Sequence, residues 1–267
     1  MEMDANRHKP RKRFGQHFLN DPEIIQKIVQ AIHPKPEDAL VEIGPGLGAI
    51  TQPLLQQVDH LDVIELDRDL AKTIGDRVTT PHQLTVYQQD ALKFDFQQLS
   101  RPQKKLRIIG NLPYNISTPL LFHLLKFAPL IQDMHFMLQK EIVDRITAKP
   151  NTKAYGRLTV MIQYFCETHS LFTVEPTAFK PPPKVNSAVI RLVPHTTLPY
   201  PALSQALLKE VTTQAFNQRR KTIHNALKPY LSSADFVTLS LNPILRPEEL
   251  TVEDFVRISN YVAEKTH

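Results

Sequence analysis

The sequence predicts an α/β domain with a mostly parallel sheet, followed by a small all-α domain. Short apolar runs alternate with amphipathic helical patterns in the first half of the chain, which is typical of parallel sheets. A dense glycine cluster follows the first of the runs that lie between helices. Seven prolines between residues 176 and 201 indicate loops, and helical spacing resumes at Leu203. We therefore predict one domain over residues 1–198 and a second over residues 199–267.

The predicted elements follow the chain in order. Asp21 and Pro22 form a helix start, since an N-cap acceptor is followed by proline at the first helical position. Five apolar runs are predicted to be strands, at residues 39–43, 61–64, 84–87, 106–109 and 134–138. Helical patterns lie between and after them, at residues 50–58, 66–77, 117–127, 140–147 and 157–166.

The end of the first domain has a different pattern. Residues 168–175 and 187–193 are predicted to be two strands with no helix between them. An antiparallel pair that closes the edge of the parallel sheet explains this pattern. In the second domain, Thr251 and Asp254 resemble a capping box in front of the last helix.

Composition excludes several classes of protein. The chain has 267 residues and a single cysteine, Cys166, which excludes a disulfide framework and a zinc site built from several cysteines. No stretch of 18 apolar residues exists, so we predict no membrane span. The N-terminus is basic but lacks the apolar segment of a signal peptide. We therefore expect a cytoplasmic protein.

The net charge of +5 is unevenly distributed along the chain. Residues 1–20 carry five basic and two acidic side chains, residues 21–143 carry twelve and fifteen, and residues 144–191 carry seven and three. A slightly acidic module thus lies between basic segments. This pattern suits a polyanionic partner that is held by the basic flanks.

The glycine cluster, Gly44-Pro-Gly46-Leu-Gly48, follows a predicted strand and opens a predicted helix. Glycines at such a turn allow a ligand to approach the backbone closely. The spacing G-x-G-x-G differs from the dinucleotide fingerprint G-x-G-x-x-G, and the chain has no G-x-x-x-x-G-K-[ST] phosphate loop. A purely structural turn remains an alternative at this point.

Two acidic residues favour ligand binding over a structural turn. Glu65 ends the second central strand, where a carboxylate can accept hydrogen bonds from both hydroxyls of a ribose. Asp90 follows the third strand, where a carboxylate can accept from an exocyclic adenine amine. The carboxyl ends of parallel strands meet in one crevice. Together these residues predict an adenosine-containing ligand without a pyrophosphate, and S-adenosylmethionine fits best.

The fourth strand ends in Gly110-Asn111-Leu112-Pro113-Tyr114, which we predict to be the catalytic segment. The side-chain oxygen of Asn111 and the backbone carbonyl beside Pro113 can accept hydrogen bonds from an amine, and the proline fixes the local backbone. Tyr114 offers a flat face to a planar base. The segment resembles the [DNS]-P-P-[YFW] motif of amino methyltransferases, with leucine in place of the first proline.

Nearly the whole chain resembles the KsgA/RsmA family of small-subunit ribosomal RNA adenine dimethyltransferases. The segments that carry the resemblance are residues 13–21, 41–46, 63–67, 111–119, 137–141, 154–158, 179–187 and 216–222. The resemblance implies a Rossmann-like class I S-adenosylmethionine-dependent methyltransferase domain with an antiparallel edge strand. It also implies a small helical C-terminal domain that binds RNA or the ribosome.

The resemblance further implies roles for individual residues. Asn111 and the Leu112–Pro113 backbone hold the target N6, Tyr114 stacks on the target adenine, and Phe179 takes the other face of that base. The residues implied in cofactor binding are His17, Leu19, Gly44, Gly46, Glu65, Asp90 and Asn111. The residues implied in gripping RNA phosphates are Arg219, Arg220 and Lys221.

The implied activity is methyl transfer to N6 of two adjacent adenines in a loop near the 3′ end of 16S rRNA. The implied partner is this RNA within a precursor of the 30S subunit, late in ribosome assembly. We expect N6 to attack the cofactor methyl group in line after the adenine leaves its stack, with no metal and no covalent intermediate. We also expect a monomer that does not bind membranes.

Two other functions remain open. A 23S rRNA adenine methyltransferase shares the crevice and the catalytic segment, but residues 216–222 and the Lys180–Lys184 loop favour the small-subunit family. A non-catalytic ribosome assembly factor is the second alternative, and the intact residues 111–114 argue against it. A cytosine C5 methyltransferase needs a Pro-Cys nucleophile, whereas Cys166 follows Phe165. A zinc base deaminase is excluded because its H-x-E and P-C-x-x-C signature is missing.

Overall fold

The computed structural model describes residues 17–77, 83–218 and 220–266. The predicted basic N-terminal arm lies outside these residues. The chain divides into two compact units, of which the first takes residues up to 143 together with 169–194. The second takes residues 144–168 and the chain from 195 onwards. The division at 198/199 stays a prediction from the sequence, and the second compact unit includes one earlier segment.

Two β-sheets organise the described residues before position 195. The strands in chain order are β1 (Phe18–Leu19), β2 (Ala39–Ile43), β3 (Leu61–Glu65), β4 (Leu84–Gln88), β5 (Leu106–Asn111), β6 (Ile131–Gln139), β7 (Cys166–Val174), β8 (Phe179–Lys180) and β9 (Ser187–Pro194). The larger sheet has the order β4-β3-β2-β5-β6-β9-β7, and β1 pairs with β8 in a separate antiparallel pair. Strands β2 to β6 pair in parallel, whereas β9 is antiparallel to β6. The mostly parallel sheet with an antiparallel edge is therefore confirmed.

The helices that flank this sheet follow the predicted alternation. They are α1 (Pro22–Ile32), α2 (Thr51–Leu55), α3 (Arg68–Arg77), α4 (Ser117–Leu125) and α5 (Lys140–Ile146). Helix α1 begins at the predicted N-cap, since Asp21 Oδ1 accepts the backbone N–H of Glu23 at 2.9 Å. Helix α2 is shorter than predicted because the chain tightens after it, with the N–H of Gln57 donating to the Leu54 carbonyl at 2.8 Å.

The order of the strands creates a crevice beside β2. Strand β2 pairs with β3 on one side and with β5 on the other, so the direction of strand succession reverses there. In open α/β sheets, ligands bind at such a switch point, outside the carboxyl ends of the strands. The strands around it are buried on both faces, and Leu40 and Val41 are fully inaccessible. This rigid core fixes the positions of the residues that follow each strand.

The second unit consists mainly of helices, and the predicted helical C-terminal part is confirmed. Its helices are α6 (Arg157–Phe165), α7 (Gln205–Asn217), α8 (Ile223–Ala226), α9 (Ser233–Thr238) and α10 (Val252–Thr266). Helices α7 and α10 pack together through Phe216 and Phe255, whose rings lie 5.6 Å apart. The predicted capping box is confirmed, because Asp254 Oδ2 accepts the N–H of Thr251 at 2.9 Å and the Thr251 hydroxyl accepts the N–H of Asp254 at 3.1 Å. Within the described residues, every helix is too short or too polar to cross a membrane.

Candidate active site

A cavity of about 320 Å³ lies where strands β2, β3 and β5 end. Its lining brings together the predicted cofactor and base-binding residues, namely His17, Leu19, Gly44, Gly46, Glu65, Asp90, Asn111, Leu112, Pro113, Tyr114 and Phe179. Arg220 and Lys221 are exposed residues of the second unit. Arg219 lies outside the described residues. The roles of all these residues stay predictions.

The glycine turn after β2 has the left-handed backbone that glycine tolerates best. Gly44 has a φ of 67° and Gly46 a φ of 58°. A Cβ on Gly46 would lie 3.2 Å from the ring of Phe18, so β1 packs closely on this turn. The turn is also tied to the end of β3, since the Gly44 N–H donates to the Ile64 carbonyl at 2.9 Å. The turn is thus held from two sides at the edge of the cavity.

Glu65 is placed so that part of its carboxylate remains available to a ligand. Its Oε1 accepts the N–H of Asp67 at 2.8 Å, and its Oε2 accepts the N–H of Gly46 at 3.3 Å. The backbone of Leu66 also hydrogen-bonds to this carboxylate. A carboxylate has about four acceptor positions, so the backbone does not use all of them. Burial raises the pKa of Glu65, and the hydrogen bonds from the backbone oppose this shift.

Asp90 lies at the same edge of the sheet. Its Oδ1 accepts the backbone N–H of Leu92 at 3.0 Å, which fixes the orientation of the carboxylate. Nearby, Leu66 lines the cavity although its side chain is 50% exposed. An apolar side chain beside a fixed carboxylate suits a flat, partly apolar ring that carries an amine. Together with Glu65 and the glycine turn, these residues fit the adenosine and the aliphatic end of S-adenosylmethionine.

Asn111 has its amide oriented by the backbone of the N-terminal segment. Its Nδ2 donates to the carbonyl oxygen of His17 at 3.2 Å. A carbonyl oxygen only accepts hydrogen bonds, so the atom that faces it is the nitrogen of the amide. The Oδ1 atom is therefore the acceptor that Asn111 presents. Strand β5 lies so close to β2 at this point that a Cβ on Gly110 would lie 2.6 Å from the Ile43 carbonyl oxygen.

The rings of Tyr114 and Phe179 differ in how accessible they are from the cavity. The Tyr114 hydroxyl lies 2.8 Å from Ser187 Oγ, and its ring stacks near the His17 ring with the centroids 5.9 Å apart. Burial raises the pKa of Tyr114, so the phenol is neutral at physiological pH. Phe179 lines the cavity but is only 3% exposed and belongs to the hydrophobic core with Leu19. Tyr114 thus has an accessible ring, whereas Phe179 is mostly covered.

Sequence reasoning missed Glu42, a buried carboxyl group in the cavity wall. It is 2% exposed, and its Oε2 accepts the Thr51 hydroxyl at 2.6 Å. Burial raises the pKa of Glu42 to about 7; the hydrogen bond from Thr51 lowers it, and the nearby Glu65 carboxylate raises it further. The available signal was a carboxylate inside an otherwise apolar run, residues 39–43.

Comparisons with known proteins identify the family and the fold of the chain. The family model described as "Ribosomal RNA adenine dimethylase" matches residues 7–264. The chain is 58% identical over 257 residues to "Ribosomal RNA small subunit methyltransferase A" of Vibrio parahaemolyticus, covering 96% of both chains. A crystal structure of a dimethyladenosine transferase from Plasmodium falciparum superimposes with a TM-score of 0.76 at 26% identity, covering 91% of this chain and 96% of the other. The 23S rRNA methyltransferase ErmE has the same fold, with a TM-score of 0.69 at 23% identity over 92% and 99% of the two chains.

Proposed function

Because the chain belongs to the ribosomal RNA adenine dimethylase family, we propose that it dimethylates N6 of two adjacent adenines near the 3′ end of small-subunit ribosomal RNA. The product is N6,N6-dimethyladenosine, and the methyl donor is S-adenosylmethionine. One observation carries the proposal. The amide nitrogen of Asn111 is bound to the His17 carbonyl, so Oδ1 is the end that can accept from a substrate amine.

The cofactor residues have separable tasks in this proposal. Glu65 binds the ribose hydroxyls with the part of its carboxylate that its backbone partners leave open. Asp90 accepts from the adenine amine, and the turn at Gly44 and Gly46 admits the methionine end. S-adenosylmethionine, when bound, supplies a methyl group that its sulfonium already activates. The protein therefore needs to bind and orient rather than to provide a nucleophile.

The catalytic segment orients the target amine. In the first transfer, Asn111 Oδ1 and the backbone carbonyl of Leu112 accept the two N6 hydrogens, which leaves the nitrogen lone pair directed away from both acceptors. Each transfer releases one of these hydrogens as a proton to solvent, so one N6 hydrogen remains to be accepted in the second transfer. Pro113 fixes the backbone directly after the Leu112 carbonyl, because its ring restricts φ. Tyr114 stacks on the extruded adenine, and unstacking that base from the RNA costs a few kcal/mol. Phe179, which lines the same cavity, takes the other face.

The substrate in this proposal is the RNA within a precursor of the 30S subunit. Arg220 and Lys221 are exposed, and with Arg219 they form a basic run that grips phosphates. We propose that the protein acts as a monomer in the cytoplasm, where the subunit is assembled. Binding through such contacts weakens as the salt concentration rises, because each phosphate contact releases counterions.

The proposal is tested by offering the protein three unmodified substrates with labelled S-adenosylmethionine: naked 16S rRNA, 30S precursor particles and 23S rRNA. Mass spectrometry of nuclease fragments then identifies the modified nucleosides. We expect two adjacent dimethyladenosines in the 16S rRNA of the particle and none in 23S rRNA. Modification of 23S rRNA would instead support the large-subunit alternative. Equal rates on naked RNA and on particles would contradict the particle as the substrate.

A matched pair of variants tests the basic run independently of catalysis. Arg220→Gln and Lys221→Gln each remove a charge from an exposed side chain. We expect the KM for the particle to rise in both variants and the dissociation constant of S-adenosylmethionine to stay unchanged. The dependence of binding on salt should become less steep, by about one in the log–log slope for each phosphate that is no longer neutralised. An unchanged KM and salt slope would contradict the role of this run.

A further inference from the structure

Tyr114 is held at its hydroxyl end by a residue to which the sequence motifs give no role. The Tyr114 and Ser187 hydroxyls are hydrogen-bonded at 2.8 Å. Ser187 is 1% exposed and is the first residue of β9, where it pairs in register with Gln139 of β6. The hydrogen bond thus joins the catalytic segment to a buried strand 73 residues further along the chain.

Ser187 is itself held by the segment that precedes it. The carbonyl of Asn186 accepts the N–H of Lys140 at 2.9 Å, directly beside Ser187. Earlier in the same segment, His17 Nδ1 donates to the Pro181 carbonyl at 2.8 Å, and Phe179 pairs with Leu19 in the small sheet. The segment is therefore fixed at both ends, and Ser187 has little freedom to follow a moving tyrosine.

A second contact restricts the same ring. The imidazole of His17 lies against the Tyr114 ring at 5.9 Å between centroids, with 28° between the planes. The carbonyl of His17 also holds the amide of Asn111. The two residues that would hold the target base are thus oriented by neighbours outside the catalytic segment.

We infer that Ser187 is a positioning residue for Tyr114, whose ring plane it fixes for stacking on the target adenine. The inference rests on the proposed function. A residue that contacts a reacting base must be held within a fraction of an ångström, and hydrogen bonds from behind it supply this constraint. Both hydroxyls are neutral, so the effect on methyl transfer is moderate, about fivefold for the loss of one such bond.

A double-mutant cycle tests the inference. Ser187→Ala and Tyr114→Phe each remove one partner while Phe keeps the ring, and the double variant removes both. We expect each single variant to slow single-turnover methyl transfer about fivefold. The double variant should be no slower than the slower single variant, since either change breaks the same bond. The affinity for S-adenosylmethionine should remain that of the wild type.

A control variant separates positioning from general stability. Ser259 in α10 is fully buried, and its hydroxyl has no hydrogen-bond partner among the described residues. Ser259→Ala therefore removes a buried hydroxyl without breaking a bond, and we expect the wild-type rate. Additive rate losses in the cycle, or a Ser187→Ala variant with the wild-type rate, would overturn the inference. If Ser187→Ala does not fold, Tyr114→Phe alone tests the same bond, and a wild-type rate in that variant would overturn the inference.

A spectroscopic readout reports on the ring directly. An RNA that carries 2-aminopurine at the target position gains fluorescence when the base leaves the RNA stack, and stacking on Tyr114 quenches this gain. We expect strong quenching with the wild type and weaker quenching with Ser187→Ala, and equal quenching would contradict the inference. If the wild type modifies no small-subunit RNA, the proposed function fails. If it does and the cycle is additive, only the inference about Ser187 fails.

Discussion

The proposed role of Asn111 requires that the nitrogen and the oxygen of its side-chain amide have different partners. Its nitrogen donates to the His17 carbonyl, which leaves Oδ1 for the substrate. Asn111→Asp keeps an acceptor but places a carboxylate oxygen against that carbonyl, so the side chain is repelled from its position. We expect single-turnover methyl transfer to fall about tenfold, in proportion to the loss of one oriented hydrogen bond to a charged or reacting group. An Asp variant as fast as the wild type would contradict the orienting role of His17.

An acid-to-amide substitution at Glu65 tests the proposed cofactor site. Glu65→Gln has the same shape, but its amide nitrogen must face one of the two backbone N–H groups of Gly46 and Asp67. Two donors then oppose each other, and one acceptor for the ribose is lost. We expect the dissociation constant of S-adenosylmethionine to rise roughly tenfold by isothermal titration calorimetry. An unchanged dissociation constant would remove Glu65 from the proposed ribose site.

The sequence predicts these residues because each stands where an apolar strand ends. Glu65, Asp90 and Asn111 are polar residues directly after or at the end of such runs, so the topology alone brings them together. Ser187 and the His17 carbonyl could not be assigned in this way. Their contacts with Tyr114 and Asn111 span 73 and 94 residues, and no local pattern encodes such a pairing.

The close approach of β5 to β2 determines which substitutions are tolerated at Gly110, near the end of β5. Gly110→Ala would place a Cβ 2.6 Å from the Ile43 carbonyl oxygen, a backbone atom that cannot turn away. We expect the free energy of unfolding to fall by about 1–3 kcal/mol, as for other overpacked sites. Methyl transfer should fall as well, because Asn111 follows directly. Urea unfolding monitored by circular dichroism measures the first effect.

Gly75 in α3 provides the matched comparison. It is exposed, and a Cβ there would meet no atom within 4 Å. Gly75→Ala should stabilise the protein by about 0.5–1 kcal/mol, because glycine weakens a helix interior. The two substitutions are chemically identical, so opposite signs isolate the effect of the strand contact. Equal decreases in the free energy of unfolding of the two variants would contradict this account of Gly110.

Strands and helices were predictable to different degrees. The central strands and the first helix follow from apolar periodicity and from the cap at Asp21, which act locally. Strands β1 and β8 have two residues each and exist only because Phe18 and Lys180 pair across the chain. Segments of two residues have no periodicity, so the sequence offered no signal for them. His17, the residue directly before β1, nevertheless supplies the carbonyl that orients Asn111.

The buried carboxyl of Glu42 links the stability of the whole molecule to pH. Its pKa is raised from 4.5 in the unfolded chain to about 7 by burial. The native state therefore binds a proton that the unfolded state has lost, so the stabilising contribution is complete below pH 4.5 and disappears as the pH rises to 7. The Glu42→Gln variant has no carboxyl group to titrate at this position, so it lacks this loss of stability.

The measurement is the difference in free energy of unfolding between Glu42→Gln and the wild type. We expect it to grow in favour of the variant by up to about 3 kcal/mol between pH 4.5 and 7. Buried His135 has a pKa lowered to about 4 and changes stability in the opposite direction, but it is present in both proteins and cancels. A difference that does not vary with pH would contradict the burial of an ionisable Glu42.

The central claim is that Asn111 orients adenine N6 for dimethylation of small-subunit ribosomal RNA. The most direct test quantifies N6,N6-dimethyladenosine by mass spectrometry after incubating 30S precursor particles with the wild type, Asn111→Ala or the exposed-site control Asn225→Ala. We expect two dimethyladenosines per particle with the wild type and the control, and a rate lower by roughly 100-fold with Asn111→Ala, as for the loss of a group that acts on the reacting atom. Dimethylation by Asn111→Ala at the wild-type rate would contradict the claim.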